Sequence, residues 1–419
     1  MRIVVVHGRY RSAAPSGENR VVDQETSLLR EAGHEVEAFE RRSDDIGGWP
    51  VARQAMLPLL SVRNAAVRAE LVERIRATRA DVVHVHNTFP LLSASVLLAC
   101  RDAGVPVVAT VHNYKLLCAS GDFYRAGRPC HECADGQVAP GLRHGCYRGS
   151  RAATLPVAAG LLVNRRAWQQ LVAAYVLISS SQRTLLRGLG LPPDRVFVKP
   201  NFVRAPSGPR QPREHLVVHL GRLDEAKGIR LLMQGWERHL AARPGSRLRL
   251  VVAGSGPLEP EVRAWGASRP SVSVVGNLDP GAVAALLDRA LVAVVPSAWE
   301  EVFGLVAIEA MAHGVAPVAP ARGSFPELVR DGWDGALFAP GSADDLARVL
   351  AGVDRAPEHY LALGARARTT WARRFSPERN LTQLLTIYRF ALDHPAGRQP
   401  DAPLVHTQVE PGTPLAGEG

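Results

Sequence analysis

The stretch LVAVVPSAWEEVFGLVAIEAMAHGVAPVAP, residues 291–320, reads as strand, loop, helix and strand in direct succession. LVAVVPS (291–297) and VAPVAP (315–320) are short apolar runs of strand character, and the apolar segment after Gly304 has the length and spacing of a helix. Two strands joined through a helix form a parallel unit, and ligands of such sheets bind beyond the carboxyl ends of the strands. The loop 297–303 occupies one of these ends. Gly304 allows close backbone approach to a ligand, and the N–H groups of Leu305 and Val306 at the helix start suit an anion such as a diphosphate. Glu301 precedes the helix and Glu309 lies about one and a half turns into it. The two carboxylates can therefore bracket one extended ligand, Glu301 near its head and Glu309 near a pair of vicinal hydroxyls. The spacing alone fits a surface acid and an ordinary helix residue equally well.

Upstream, the alternation of strand and helix continues. LVVHLGRL (216–223), LRLVVAGSG (248–256) and VSVVGNL (272–278) are strands, with helices expected near 228–242 and 280–290. GRLDEAKG (221–228) sets Arg222 and Lys227 between two glycines at a strand end, where a guanidinium and an ammonium can neutralise a diphosphate. Gly221, Gly254 and Gly276, the last followed by Asn277, mark strand-end loops where a ribose or base can lie against backbone.

The first half of the chain repeats the pattern. IVVVH (3–7), DVVHVHN (81–87), VPVVATVHN (105–113) and AYVLISSS (174–181) alternate with helical stretches such as 21–33 and 65–79. The Pro- and Arg-rich VRAPSGPRQPREH (203–215) interrupts the periodicity. The expectation is an α/β chain of two Rossmann-like domains, each with a parallel sheet, facing across a deep cleft. The first domain spans 1–203, a linker 204–214, and the second domain 215–393, with its last helix packing back on the first domain. Residues 394–419 have no periodicity and are expected to be disordered.

Bulk properties agree with an ordinary globular protein: 419 residues, 46% hydrophobic and 21% charged. No run reaches the roughly 18 to 20 apolar residues of a membrane span. The N-terminal apolar run is too short for a secretory signal, and a cytoplasmic protein is expected. The net charge of +10 lies entirely in the first half, where residues 1–204 hold 27 Lys+Arg against 17 Asp+Glu. Such an excess attracts an anionic membrane surface or forms a solvated face. The apolar, Arg-flanked stretch 155–163 fits either a helix in a lipid interface or a buried core helix. Nucleic acid is not expected, because no recognition module is present.

The order GRLDEAKG, VVAGSGPL, VVGNL, PSAWEEVFGLVAIEAMAHGVAPVAP resembles the donor-binding half of the retaining glycosyltransferases of family 4, which have the GT-B fold. The resemblance implies that Glu301 contacts the donor sugar and Glu309 the nucleotide ribose, and that Arg222 and Lys227 meet the diphosphate. It adds Phe303 to the donor side. In the first half it carries over Gly17, in APSGENR, and His112, in TVHNYK, as the histidine that touches the donor sugar. Ser16 stands where the family has a second glycine, Asn113 where many relatives have aspartate, and Phe202 where relatives have glycine. The implied activity is transfer of a sugar, with retention, from a UDP- or GDP-sugar to a saccharide or lipid-linked acceptor, in cell-surface polysaccharide or glycoconjugate assembly. No Asp-x-Asp motif is present and no catalytic metal is expected. A nucleotide-sugar epimerase of related fold, or a non-catalytic nucleotide-sugar-binding subunit, are the competing readings.

A Cys-rich loop, 114–150, follows His112. Cys118, Cys130, Cys133 and Cys146 are spaced x11, x2 and x12. A Cys-x2-Cys flanked by two more thiols suits a tetrahedral structural zinc, and thiols that simply pack or form a redox-labile pair remain the other reading. Cys100, in the preceding helix, is expected in the core.

Overall fold

The computed structural model describes residues 1–10, 12, 16–206 and 211–396. Part of the expected linker 204–214 and all but the first three residues of the expected tail 394–419 lie outside these residues. Two compact units are present. Of the described residues, the first comprises those within Met1–Phe123, His131–Pro200 and Asn380–Ala396, and the second those within Tyr124–Cys130 and Asn201–Arg379. The first unit thus excludes a short piece of the Cys-rich loop and includes most of the last helix.

In chain order the strands are β1 (Arg2–Arg9), β2 (Glu35–Arg42), β3 (Val82–Val85), β4 (Val107–Val111), the hairpin β5 (Tyr124–Arg125) and β6 (Arg128–Pro129), β7 (Ala174–Leu177), β8 (Val196–Val198), β9 (Leu216–Leu220), β10 (Arg249–Ala253), β11 (Val272–Gly276), β12 (Val292–Val294), β13 (Ala316–Pro320) and β14 (Ala336–Phe338). The first sheet runs β2-β1-β3-β4-β7-β8 and the second β11-β10-β9-β12-β13-β14. Every pairing within these two sheets is parallel.

Both sheets are covered on two faces, which is why their central strands are continuous apolar runs. In β1, Val4 and Val6 join one core cluster and Ile3 and Val5 another, as the period of two requires. In the second sheet Val217, Val292 and Val294 pack with Trp236, whereas Leu216, Val218 and Ala293 lie on the other face. Cys100 is fully buried in the first unit's core.

Three strands of the two six-stranded sheets are absent from the sequence reading, as is the short β5–β6 hairpin. β2, EVEAFERR, is an edge strand with one buried residue, Phe39, so charge masks it. β8 and β14 are three residues each and also lie at edges. The helices that matter for the sites are α1 (Gly17–Glu31), α2 (Leu57–Val62), α3 (Arg151–Gln170), α4 (Ile229–Ala242), α5 (Leu305–Ala312) and α6 (Pro377–Asp393). β9 is flanked by β10 on one side and β12 on the other. This is the switch point at which doubly wound sheets open a crevice, and the loops after β9 and β12 meet there.

Candidate functional site

In the second unit the loop 221–228 and the loop 295–304 are tied together by backbone. Ala298 N–H donates to the Ala226 carbonyl at 2.9 Å. Gly228, at φ 73°, leaves room for the Pro296 carbonyl, from which an added Cβ would be only 2.0 Å away. Gly254 gives the same freedom beside Gly221, whose carbonyl an added Cβ would meet at 1.8 Å. The cradle is therefore built from backbone, and side chains would fill it.

Glu301 is buried in this cradle. Lys227 Nζ lies 3.1 Å from its Oε1 and 2.8 Å from its Oε2. The Ser297 hydroxyl and the Trp299 indole N–H each donate to Oε2 at 2.9 Å, and the same Lys227 ammonium lies 5.0 Å from the centre of a Trp299 ring. Asp224 accepts from Lys227 N–H at 2.8 Å and pairs with the exposed Arg222 guanidinium. The structure thus brings Arg222, Lys227 and Glu301 into one charged network at the ends of β9 and β12.

Phe303 is buried, and Gly304, at φ 79°, opens α5 with Leu305 and Val306 in its first turn. A Cβ on Gly304 would come 2.6 Å from Phe325 Cε1, so only glycine fits this entry to the helix. Glu309 is buried in α5. Gly276, at φ 73°, ends β11, and the exposed Asn277 side chain donates to the Ser255 hydroxyl at 2.8 Å.

In the first unit, Gly17 is the first residue of α1 and Ser16 caps it, its hydroxyl accepting from Glu18 N–H at 3.2 Å. His112 and Asn113 follow β4 and line an open pocket. Glu18, Lys115 and His86 give that pocket polar walls, and Val157, Leu161 and Trp168 of α3 give it an apolar one. Glu18 accepts from the Tyr10 hydroxyl at 3.2 Å and the Asn113 amide at 3.3 Å, while its Oε1 is buried with no hydrogen-bond partner among the described residues. Burial pushes its carboxyl up to about 7, despite these donors and Lys115. The Lys115 ammonium sits 4.6 Å from the Phe89 ring centre and 5.1 Å from that of Tyr147.

Behind His112 lies a network that the sequence reading missed. His86 Nδ1 and His112 Nε2 are 2.9 Å apart, and the rings of His84 and His86 are 4.1 Å apart. His84 bonds the Tyr388 hydroxyl of α6 and the Thr110 hydroxyl, each at 2.7 Å. Glu25 of α1 accepts from the Lys199 ammonium at 2.9 Å, both side chains being buried. Burial, reinforced by the neighbouring imidazoles and Lys199, holds His86 and His112 well below the ordinary histidine range, so both are neutral. Burial opposes charge on Glu25 as well, but Lys199 and His84 hold its carboxyl below the usual value. Glu25, His84 and His86 each place one ligand atom within 4.8 Å of the others. That spacing suits a cation, and the Lys199 ammonium already supplies the positive charge. The motif KPNFV therefore contributes a buried structural lysine, with Asn201 and Phe202 also buried.

In the Cys-rich loop, Cys118 and Cys133 are buried and Cys130 and Cys146 half-buried, and none forms a disulfide. Residues 155–163 lie within α3, which has Pro156 inside it, and their side chains divide between buried and exposed faces.

Residues 15–205 match the family model described as Glycosyltransferase Family 4, and residues 214–353 that of Glycosyl transferases group 1. The chain is 36% identical over 185 residues to the D-inositol 3-phosphate glycosyltransferase of Segniliparus rotundus, covering 43% of this chain and 41% of that protein. This match spans less than half of the relative's length. It is 27% identical over 361 residues to the phosphatidyl-myo-inositol mannosyltransferase of Mycolicibacterium smegmatis, covering 82% of each. Among solved structures, Anabaena HepE in complex with UDP aligns with TM-score 0.63 at 18% identity over 92% of this chain and 99% of that one. Sucrose-phosphate synthase of Thermosynechococcus elongatus aligns with TM-score 0.65 at 20% identity over 93% and 98%. With two parallel six-stranded sheets and family segments that together span most of its length, the chain belongs to the family 4, group 1 glycosyltransferases of GT-B fold.

Proposed function

We propose that the protein transfers a sugar from a nucleotide-diphosphate sugar to a saccharide or lipid-linked acceptor, with retention of configuration, in cell-surface polysaccharide or glycoconjugate assembly. The observation that carries this reading is the charged network of Lys227, Glu301 and Arg222 at the switch point of the second sheet. Lys227, Arg222 and the start of α5 provide positive potential for a diphosphate leaving group. Glu309 serves the ribose and Glu301 the sugar, as the family resemblance implies. UDP or GDP is the expected nucleotide, and HepE, solved with UDP, supports the first.

In the reaction the bond from the anomeric carbon to the phosphate oxygen breaks, and the acceptor oxygen bonds that carbon from the same face. The acceptor proton leaves with the diphosphate oxygen. The cations named above meet the leaving-group charge without a catalytic metal. His112, held neutral, can exchange hydrogen bonds with sugar hydroxyls in either direction, according to tautomer. The four cysteines of the loop 114–150 hold a structural zinc in this reading, on the strength of their spacing.

A thermal-shift screen of UDP-, GDP-, ADP- and TDP-sugars tests the donor, because a ligand of the folded state raises its stability. Proton NMR of the product should show the donor's anomeric configuration, and brief EDTA treatment should leave turnover unchanged. An inverted product overturns the assignment, as does release of an altered donor sugar without any acceptor.

A further inference from the structure

His84, in β3, and His86, just after it, are two residues apart along one extended segment, and His86 N–H still donates to the Val6 carbonyl of β1 at 2.9 Å. Both imidazoles therefore leave the sheet on one face. β4 is the neighbouring strand, and His112 at its end lies against His86 with the ring planes 21° apart. His86 and His112 both line the first unit's pocket. Glu25 reaches the two strand histidines from the buried side of α1.

The two oxygens of Glu25 have different surroundings. Oε2 accepts from the Lys199 ammonium at 2.9 Å. Oε1 has no hydrogen-bond partner among the described residues and faces the imidazoles, 3.5 Å from His84 Nδ1 and 4.0 Å from His86 Nε2. His84 is already held by the Tyr388 and Thr110 hydroxyls, and His7, the other imidazole nearby, bonds Asn19 through its Nε2 at 2.8 Å.

Each neutral imidazole has one N–H and one bare nitrogen, so a single proton lies between His86 Nδ1 and His112 Nε2, which are 2.9 Å apart. With that proton on His86 Nδ1, His86 Nε2 is bare and turns a lone pair toward a buried carboxylate. With it on His112 Nε2, His86 carries its own proton on Nε2, aimed at Glu25 Oε1. The gap of 4.0 Å exceeds a hydrogen bond, so the choice is electrostatic, and the low dielectric of the interior strengthens it. It favours the second arrangement.

We propose that Glu25 and His86 are positioning residues that fix the proton of His112 on Nε2, leaving Nδ1 bare to accept a hydrogen bond from a hydroxyl of the transferred sugar. The proposal rests on the glycosyl-transfer reading and deepens it, because it gives the His112 contact one direction: the sugar donates. A donor sugar that lacks this hydroxyl, or carries it methylated, loses the contact.

Proton–nitrogen NMR of the full chain, labelled on its histidine nitrogens, reads the tautomer without any substrate, and His112→Gln identifies the signals of His112. The parent should show Nε2 protonated and Nδ1 bare. Glu25→Gln combined with Lys199→Met removes the carboxylate, keeps the core neutral and nearly preserves its shape; His112 should then populate both tautomers. For the nucleotide-sugar selected by thermal shift, kcat/KM of this double variant should fall about tenfold, the size of one lost hydrogen bond. Affinity for the matching free nucleoside diphosphate, which lacks the transferred sugar, should stay unchanged. His86→Leu should lose as much, and His86→Asn, whose amide oxygen can replace Nδ1 as the acceptor, should regain most of it. Nδ1 protonated in the parent overturns the proposal, as do parental spectra and kinetics in the double variant, or equal losses in His86→Leu and His86→Asn. A parent that transfers no sugar sinks the transfer reading and the role given to the Nδ1 lone pair, whereas the tautomer stands or falls on the spectra.

Discussion

Lys227 Nζ lies 2.8 Å from Glu301 Oε2, so the two charges assigned to different parts of one donor are an ion pair with each other. A diphosphate that draws on Lys227 must compete with this carboxylate. Glu301→Gln removes the competitor and keeps the hydrogen-bonding shape. Calorimetry should find nucleoside diphosphate bound at least as tightly by this variant, while transfer falls by about a hundredfold or more. Lys227→Ala should weaken the same binding by roughly 1.5–3 kcal/mol, the size of a charge-assisted contact. Equal losses of nucleotide affinity in both variants would show that Glu301 supports the diphosphate site rather than opposing it.

The buried pair of Glu25 and Lys199 gives a stability prediction. Lys199→Met leaves a carboxylate buried without its ammonium, which costs about 3–5 kcal/mol. Adding Glu25→Leu removes the orphaned charge and should recover most of that loss. The folded-state carboxyl of Glu25 is depressed, so its contribution is present above the unfolded value and is lost as pH falls through the folded one. Urea unfolding followed by amide exchange in β1 and β3 reads the first unit separately. A double variant as unstable as the single one would remove the ion pair from the account.

The donor side was more legible in the sequence than the first unit. Glu301, Arg222, Lys227 and Gly304 sit in loops directly after apolar strands, so position along the chain already locates them at strand ends. His84, Glu25 and Lys199 come together only through tertiary contacts between α1, β3 and the segment after β8, at separations that no local pattern encodes. One signal was available: Glu25 falls on the apolar face of α1, between Val21, Val22 and Leu28, Leu29, where an unpartnered acid has no place. β2 escaped for the reverse reason, since an edge strand with one buried residue carries charges at most of its positions.

Glu18 makes stability depend on pH in the opposite sense from Glu25. Burial raises its carboxyl from 4.5 to about 7, so the folded chain binds its proton more tightly than the unfolded one. The stability it contributes is full below the unfolded value and falls as pH rises toward 7. Glu18→Gln keeps a neutral side chain and should flatten that part of the pH profile of the melting temperature. It should also raise KM for acceptor more than for donor, because Glu18 lines the first unit's pocket. A profile unchanged between pH 4.5 and 7 would mean that Glu18 is solvated and ionised throughout.

The Cys-rich loop offers a prediction that depends on metal alone. Gly141 draws its parts together: an added Cβ would lie 3.4 Å from Ala119, next to Cys118, and 3.8 Å from Cys133 Sγ, and its carbonyl accepts from Cys146 N–H at 3.0 Å. Three thiol-bearing segments of the first unit therefore converge on one residue, and Cys130 precedes Cys133 by a tight turn. Four thiolates give a closed tetrahedral site, so protein purified without chelator should contain about one zinc per chain. Binding requires deprotonated thiols and should weaken as pH falls. Cys133→Ser should lower zinc content and raise protease sensitivity within 118–146, with nucleotide affinity intact because Lys227, Glu301 and Glu309 lie outside the loop. Four thiols that react freely in metal-free but fully active protein would rule out the zinc staple.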